Sequence, residues 1–293
     1  MTAIKEKAYA KVNLYLDVLG LRDDGFHDIK TVMHSVSLAD EIVVSVAPKR
    51  ELSIDMRIEG NRYLPTDSKN LAYRAAQMFC ERLGVVGDVR IKLVKRIPVA
   101  GGLAGGSSDA AATLRALNKL YKRPFTRKAL LAMGAELGSD VPYCIVGKTA
   151  LCEGRGEKMT RLDSKLKMHF VIASAGDHVS TPEAYKVLDV KYSSFDGSVE
   201  RDGESHFESL ITMLSGGSFD KNGLYNIFEE PVLAKCGRSQ ELKRELAARC
   251  NGAAMMSGSG PSVFAVFDSE ESARAAAAEI RELGFFAEYA ASV

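Results

Sequence analysis

Residues Pro98-Val99-Ala100-Gly101-Gly102-Leu103-Ala104-Gly105-Gly106-Ser107-Ser108 put four glycines and two serines into one uncharged loop. Glycine lets a backbone approach a ligand with no Cβ in the way. A glycine loop that feeds a helix also offers the helix's free N–H donors and the positive end of its dipole. That combination suits a phosphate group. The loop matches neither G-x-x-x-x-G-K-[ST] nor G-x-G-x-x-G, which argues against a Walker-type site and against a dinucleotide fold. It holds no lysine, so positive charge must come from elsewhere in the chain.

Three other pieces complete a chemistry. Lys11 and Asn13 share the polar side of an alternating segment, Asp140 stands beside Pro142 in an irregular stretch, and Ser257-Gly258-Ser259-Gly260-Pro261 forms a second loop of small residues. Phosphoryl transfer needs phosphate donors, positive charge near the transferring group, and a carboxylate to orient or deprotonate the attacking hydroxyl. The first loop, Lys11 and Asp140 fit those roles. Each taken alone has a plainer explanation: a strand-to-helix connection, a solvated lysine, a turn aspartate.

The elements that must position these residues follow from periodicity. Ala8, Ala10, Val12, Leu14, Leu16 and Val18 alternate with more polar neighbours and predict a strand with one apolar face. Ile42, Val44 and Val46, and then Val89, Ile91 and Leu93, predict two more, and Asp23-Asp24-Gly25 predicts a turn. Helices are expected over Asn70 to Leu83, from the glycine loop to about Tyr121 with Ser107, Ser108 or Asp109 as N-cap, and from Thr126 to Leu137. Gly138 to Pro142 interrupts that pattern, and Gly147 to Gly156 reads as turns between short strands. Beyond a strand at His169 to Ala175, Thr181-Pro182-Glu183 reads as an N-cap with proline at the first helical position. Ser193 to Gly203 has the composition of a mobile loop. Further helices lead to Ala253–Met256 and to a strand at Ser262 to Phe267; then come a Ser269-capped helix and a last strand at Phe285 to Tyr289. The fold class expected is α+β, with domains at 1–160 and 161–293.

Composition narrows the function. A chain of 293 residues with 46% hydrophobic and 26% charged residues builds a full globular core. Its formal net charge of +1 and lack of a basic tract argue against a nucleic-acid partner. Asn251 to Phe267 is the longest uncharged stretch and is broken by Gly258, Gly260 and Pro261, so no membrane span is expected. No apolar leader stands at the start, and the five cysteines form no C-x-x-C pair, so a cytoplasmic setting is expected. The sequence assigns neither a metal-ligand set nor an oligomeric state.

Ala10-Lys11-Val12-Asn13-Leu14, Asp24-Gly25-Phe26-His27, the loop Pro98 to Ser108 running into Asp109-Ala110-Ala111, Gly138-Ser139-Asp140-Val141-Pro142 and Gly258-Ser259-Gly260-Pro261 occur in this order across nearly the whole chain. In these motifs the chain resembles the GHMP kinase superfamily. The resemblance implies an N-terminal β-rich α/β domain with a glycine-loop nucleotide site, a C-terminal ferredoxin-like α+β domain, and an active site between the halves. It implies ATP with Mg²⁺, and transfer of the γ-phosphate to the 2-hydroxyl of a cytidyl-diphosphate-linked methylerythritol in the non-mevalonate isoprenoid route. Carried over by position, Lys11 and Asp140 are the catalytic pair and Pro98 to Ser108 the triphosphate loop, while Asn70 and Lys95 border the adenine. Asn13, Phe26, His27, Thr181 and again Asp140 fall on the substrate side. One departure is Phe26, where the usual motif has tyrosine; an aromatic face survives and a hydroxyl is lost. Sibling kinases for homoserine, mevalonate or galactose, and a non-catalytic sensor on the same fold, are the rival readings. The N-terminal motif A-K-V-N-L-Y-L-D-V-L-G differs from those of the sibling kinases, no G-E-H signature of the mevalonate or galactose type stands near residue 20, and the presence of both Lys11 and Asp140 argues against the sensor.

Overall fold

The computed structural model describes residues 2–192 and 202–293. Two compact units emerge, and neither is a continuous stretch of chain: the first holds Met1–Ala10, Ala39–Val99 and Ala104–Gly147, the second Lys11–Leu38, Ala100–Leu103 and Lys148–Val293. The cause is strand length: β1 (Ala3–Leu21) and β2 (His27–Ala47) each pass from one unit into the other.

In the first unit, β3 (Ser53–Glu59) runs parallel to β4 (Asp88–Val94), and β4 pairs antiparallel with the Glu41–Ala47 end of β2. Against these strands pack α1 (Leu71–Leu83), α2 (Gly105–Leu120), α3 (Arg127–Leu137) and the short α4 (Val141–Val146). Phe79, Ile91, Leu93, Leu114 and Leu117 are among the residues at the centre of this core. Asn70 caps α1 through its side-chain oxygen, and Gly84 ends it in the left-handed region. Thr126 caps α3 as its sequence position predicts.

In the second unit, β5 (Thr149–Gly154) pairs with Ile29–His34 of β2 and with β6 (Lys158–Arg161), while β8 (Tyr225–Asn226) runs beside β1. A separate antiparallel sheet has the order β11 (Phe286–Ala291), β7 (His169–Ser174), β10 (Val263–Phe267), β9 (Ala254–Met256). With α8 (Gly237–Arg249) before β9 and α9 (Glu270–Glu282) before β11, this is the ferredoxin-like arrangement. Between β7 and α8 come α5 (Thr181–Lys191), α6 (Gly203–Gly216) and α7 (Glu229–Leu233). Of the segment read as a mobile loop, residues 193–201 lie outside the described residues, and Gly203 opens α6.

Two helix starts differ from expectation. The cap of α5 is Ser180, one residue before Thr181, because Glu183 closes a capping box with it. The start of α2 lies at Gly105, so Ser107, Ser108 and Asp109 sit inside its first turns rather than capping it. The cysteines carry no disulfide, and burial pushes the thiols of Cys80, Cys236 and Cys250 above the usual range, which suits packing and not nucleophilic chemistry.

Candidate functional site

The second unit seats Lys11. Alternation places Lys11 and Asn13 on the side of β1 read as polar, yet both are buried, because the other side of the strand is covered as well. The Lys11 ammonium donates to Asn13 Oδ1 at 2.6 Å and to the carbonyl of Gly102 at 2.7 Å. The lysine's own backbone N–H donates to Leu103 O at 3.2 Å, so strand and loop are tied at two levels. Asn13 Nδ2 donates in turn to Thr31 Oγ1 at 2.8 Å.

The two glycine loops meet here. Gly102 has φ 75°, and a Cβ on it would lie 2.0 Å from the carbonyl oxygen of Ser257, so only glycine allows the two backbones to touch. Ser257 Oγ donates to that same Gly102 carbonyl at 3.0 Å, and Ser262 N–H to Gly101 O at 3.3 Å. Gly258 covers the lysine: a Cβ there would lie 2.9 Å from Gly102 O and 3.1 Å from Lys11 Nζ. Asn226 fixes this second loop by donating to Met256 O at 2.7 Å and Gly258 O at 2.9 Å.

Farther along the second unit two of the predicted substrate-side residues, Thr181 and His27, are found at α5. Thr181 Oγ1 lies 3.1 Å from Ser259 Oγ. The His27 ring stacks on Tyr185 with centroids 4.5 Å apart, and its Nε2 lies 2.7 Å from Asp189 Oδ1. Phe26 is 49% exposed and carries the Arg155 guanidinium 3.6 Å from its ring centroid. A half-exposed aromatic ring beside a cation suits a flat ring.

The first unit holds the helix end of the glycine loop. Ala104 enters α2 with φ 56°, and no side chain caps the helix, so its leading N–H groups have no intrahelical acceptor. Lys95 is buried between two carboxylates, bonding Asp40 closely and Asp109 Oδ2 at 2.9 Å. Burial pulls its pKa down, but Asp109 and Asp40 outweigh that and hold it above the ordinary lysine value. Burial raises the Asp109 carboxyl above the usual range. Asp109 Oδ1 is buried with no hydrogen-bond partner. Asp40 also accepts from the backbone N–H of Ile97 at 2.9 Å and so fixes the chain just before the loop. A Cβ on Gly105 would lie 3.2 Å from Lys95 Nζ. Asn70 spends its amide on the α1 cap and on Pro65 O, and Asp140 stands half-buried at the start of α4 without a capping bond from its side chain.

Of the residues singled out by sequence, Lys11, Asn13, Gly102 and the Ser257 loop thus come together in one unit, and Lys95 joins the start of α2 in the other. Tyr185, Asp189, Arg155, Asn226, Thr31 and Asp40 carry no such mark in the sequence. Asp40 is one polar residue in a long strand, and the others stand far from the loops in sequence. The nearest signal is Tyr185, four positions after Thr181 on the same helix.

The model of the GHMP kinases N terminal domain matches residues 70–148, and that of the GHMP kinases C terminal domain matches residues 209–284. A 4-diphosphocytidyl-2-C-methyl-D-erythritol kinase of Clostridium beijerinckii is 40% identical over 90% of this chain and 91% of its own length. One of Caldicellulosiruptor saccharolyticus is 39% identical over 94% of this chain and 92% of its own. A crystal structure of 4-(cytidine 5'-diphospho)-2C-methyl-D-erythritol kinase superposes with a TM-score of 0.82 at 32% identity and covers 98% of both chains. The chain belongs to the GHMP kinases, and within them to the family of these 4-diphosphocytidyl-2-C-methyl-D-erythritol kinases.

Proposed function

We propose that this chain transfers the γ-phosphoryl group of ATP to the 2-hydroxyl of 4-diphosphocytidyl-2-C-methyl-D-erythritol, in the cytoplasm. The observation that carries the reading is the buried Lys11 ammonium, oriented by Asn13 Oδ1 and the Gly102 carbonyl beside the glycine loop, in a chain that matches kinases of this name over 94% of its length. The acceptor oxygen bonds to the γ-phosphorus, the bond to the β–γ bridging oxygen breaks, and ADP leaves. Asp140 is assigned the carboxylate that orients the hydroxyl and receives its proton, and Lys11 the charge that stabilises the developing anion. The uncapped start of α2 suits the triphosphate. Asp109 Oδ1, buried and unpartnered next to Lys95, offers an acceptor for a donor group of the nucleotide.

Phe26, His27, Tyr185 and Arg155 are assigned the pyrimidine, and Thr181 and Asn13 the rest of the acceptor. Among the described residues no group of three or more His, Cys, Asp or Glu is placed to hold a metal. Mg²⁺ would be carried on the nucleotide's phosphates, where it would neutralise phosphate charge. The test is coupled ADP release with ATP and Mg²⁺, offering the cytidyl substrate, homoserine and mevalonate in parallel and weighing the product. Phosphorylation of the cytidyl substrate, lost in Asp140→Asn while ATP still binds, is the expected result. Turnover of homoserine or mevalonate alone would overturn the assignment.

A further inference from the structure

We propose that Thr31 is a positioning residue that sets the side-chain amide of Asn13 and, through it, the ammonium of Lys11; this rests on the kinase reading, in which Lys11 acts on the transferring group. Hydrogen-bond polarity leaves one arrangement. A backbone carbonyl only accepts, so the Thr31 hydroxyl hydrogen is committed to Tyr15 O, 2.6 Å away. The hydroxyl oxygen then accepts from Asn13, which must present its NH₂ group at 2.8 Å. That turns Asn13 Oδ1 toward Lys11, whose ammonium has only donors, at 2.6 Å. A flipped Asn13 would set NH₂ against the ammonium and a carbonyl oxygen against a hydroxyl whose hydrogen is already used.

Burial makes this relay matter. Lys11, Asn13 and Thr31 are 4%, 3% and 1% exposed, so water has little access to replace a missing partner. The hydroxyl is placed by rigid structure: Thr31 lies in the paired part of β2, in register with Cys152 of β5. Because Gly102 O holds Lys11 by a second bond, losing the relay loosens the ammonium without releasing it.

Thr31→Val keeps the branched shape and removes the hydroxyl; Thr31→Ser keeps the hydroxyl. In Thr31→Val, kcat for the cytidyl substrate should fall by about tenfold, the scale of one hydrogen bond to a charged group. The KM for ATP should stay within about twofold, since the relay serves the reacting end. Thr31→Ser should restore kcat, and Thr31→Val should add nothing in an Asn13→Ala background, because both act on one seat. Independently of turnover, acylation of Lys11 by an amine-directed reagent, read by peptide mass spectrometry, should be faster in Thr31→Val than in the parent or Thr31→Ser. Parental kcat and labelling in Thr31→Val, an equal loss in Thr31→Ser, or multiplied losses with Asn13→Ala would overturn the proposal. If the parent protein leaves the cytidyl substrate untouched, the kinase reading fails, and the labelling comparison alone decides whether Thr31 holds Lys11.

Discussion

Lys11 and Lys95 are both buried, one in each unit, and the bonds that orient them include different kinds of acceptor. Lys95 bonds two carboxylates, Asp40 and Asp109. The bonds of Lys11 include two to neutral oxygens, the side-chain carbonyl of Asn13 and the backbone carbonyl of Gly102. A carboxylate both orients a lysine and pairs its charge, whereas a carbonyl orients it. The first arrangement suits a fixed brace beneath the glycine loop, and the two carbonyls at Lys11 set the direction of its ammonium. His34 adds a third case: a buried base whose partners are the hydroxyls of Thr149, at 2.8 Å, and Ser292, at 2.9 Å. Burial pulls its pKa down to about 4.

The largest effect should come from breaking the brace. Lys95→Met leaves Asp40 and Asp109 buried without their cation and should destabilise the fold by about 3–5 kcal/mol in urea unfolding. A loss below about 1 kcal/mol would make Lys95 an ordinary surface pair and erase the contrast with Lys11.

His34 sharpens the comparison through pH. Its folded-state pKa of about 4 lies below the ordinary value of 6.5, so its contribution to stability is complete above that value. The contribution is lost as pH falls through the folded value, a total of about 3 kcal/mol. The stability gap between the parent and His34→Gln should therefore narrow as unfolding is followed from pH 7 down toward pH 4. A gap that stays constant would mean that His34 titrates normally.

A smaller effect isolates the Lys11 seat itself. Gly258→Ala puts a methyl group 3.1 Å from Lys11 Nζ at a residue with φ 59°. It should lower kcat by about tenfold, and the strained backbone should cost about 1–2 kcal/mol of stability. Unchanged kcat would show that the ammonium needs no fixed position.

Much of this site is legible in the order of the residues alone. The loop's glycines, the alternation that pairs Lys11 with Asn13, and the caps Thr126 and Ser269 all act locally, and local rules find them. Asp40 and Thr31 are not legible in that way, because each works through a partner brought close only by the sheet. The strand β2 hides for a related reason: Thr31, His34 and Ser35 are polar yet buried, so its hydrophobic period is broken over Thr31 to Ser35. The interleaved units are equally hidden, since a strand long enough to serve both leaves no shift in composition to mark a boundary. Asp189 and Tyr185 meet His27 across more than 150 positions, a pairing that spacing does not encode.

In the proposed reaction the Lys11 ammonium acts on the transferring phosphate. Lys11→Met, which fills the buried space without the ammonium, tests it most directly, with phosphorylation of the cytidyl substrate followed at saturating ATP and ATP binding followed by calorimetry. A fall in kcat of about 100- to 1000-fold is expected, as for the loss of an electrostatic stabiliser of about 2.7–4 kcal/mol, with ATP binding largely kept. A kcat within about threefold of the parent, equivalent to less than 1 kcal/mol, would contradict it.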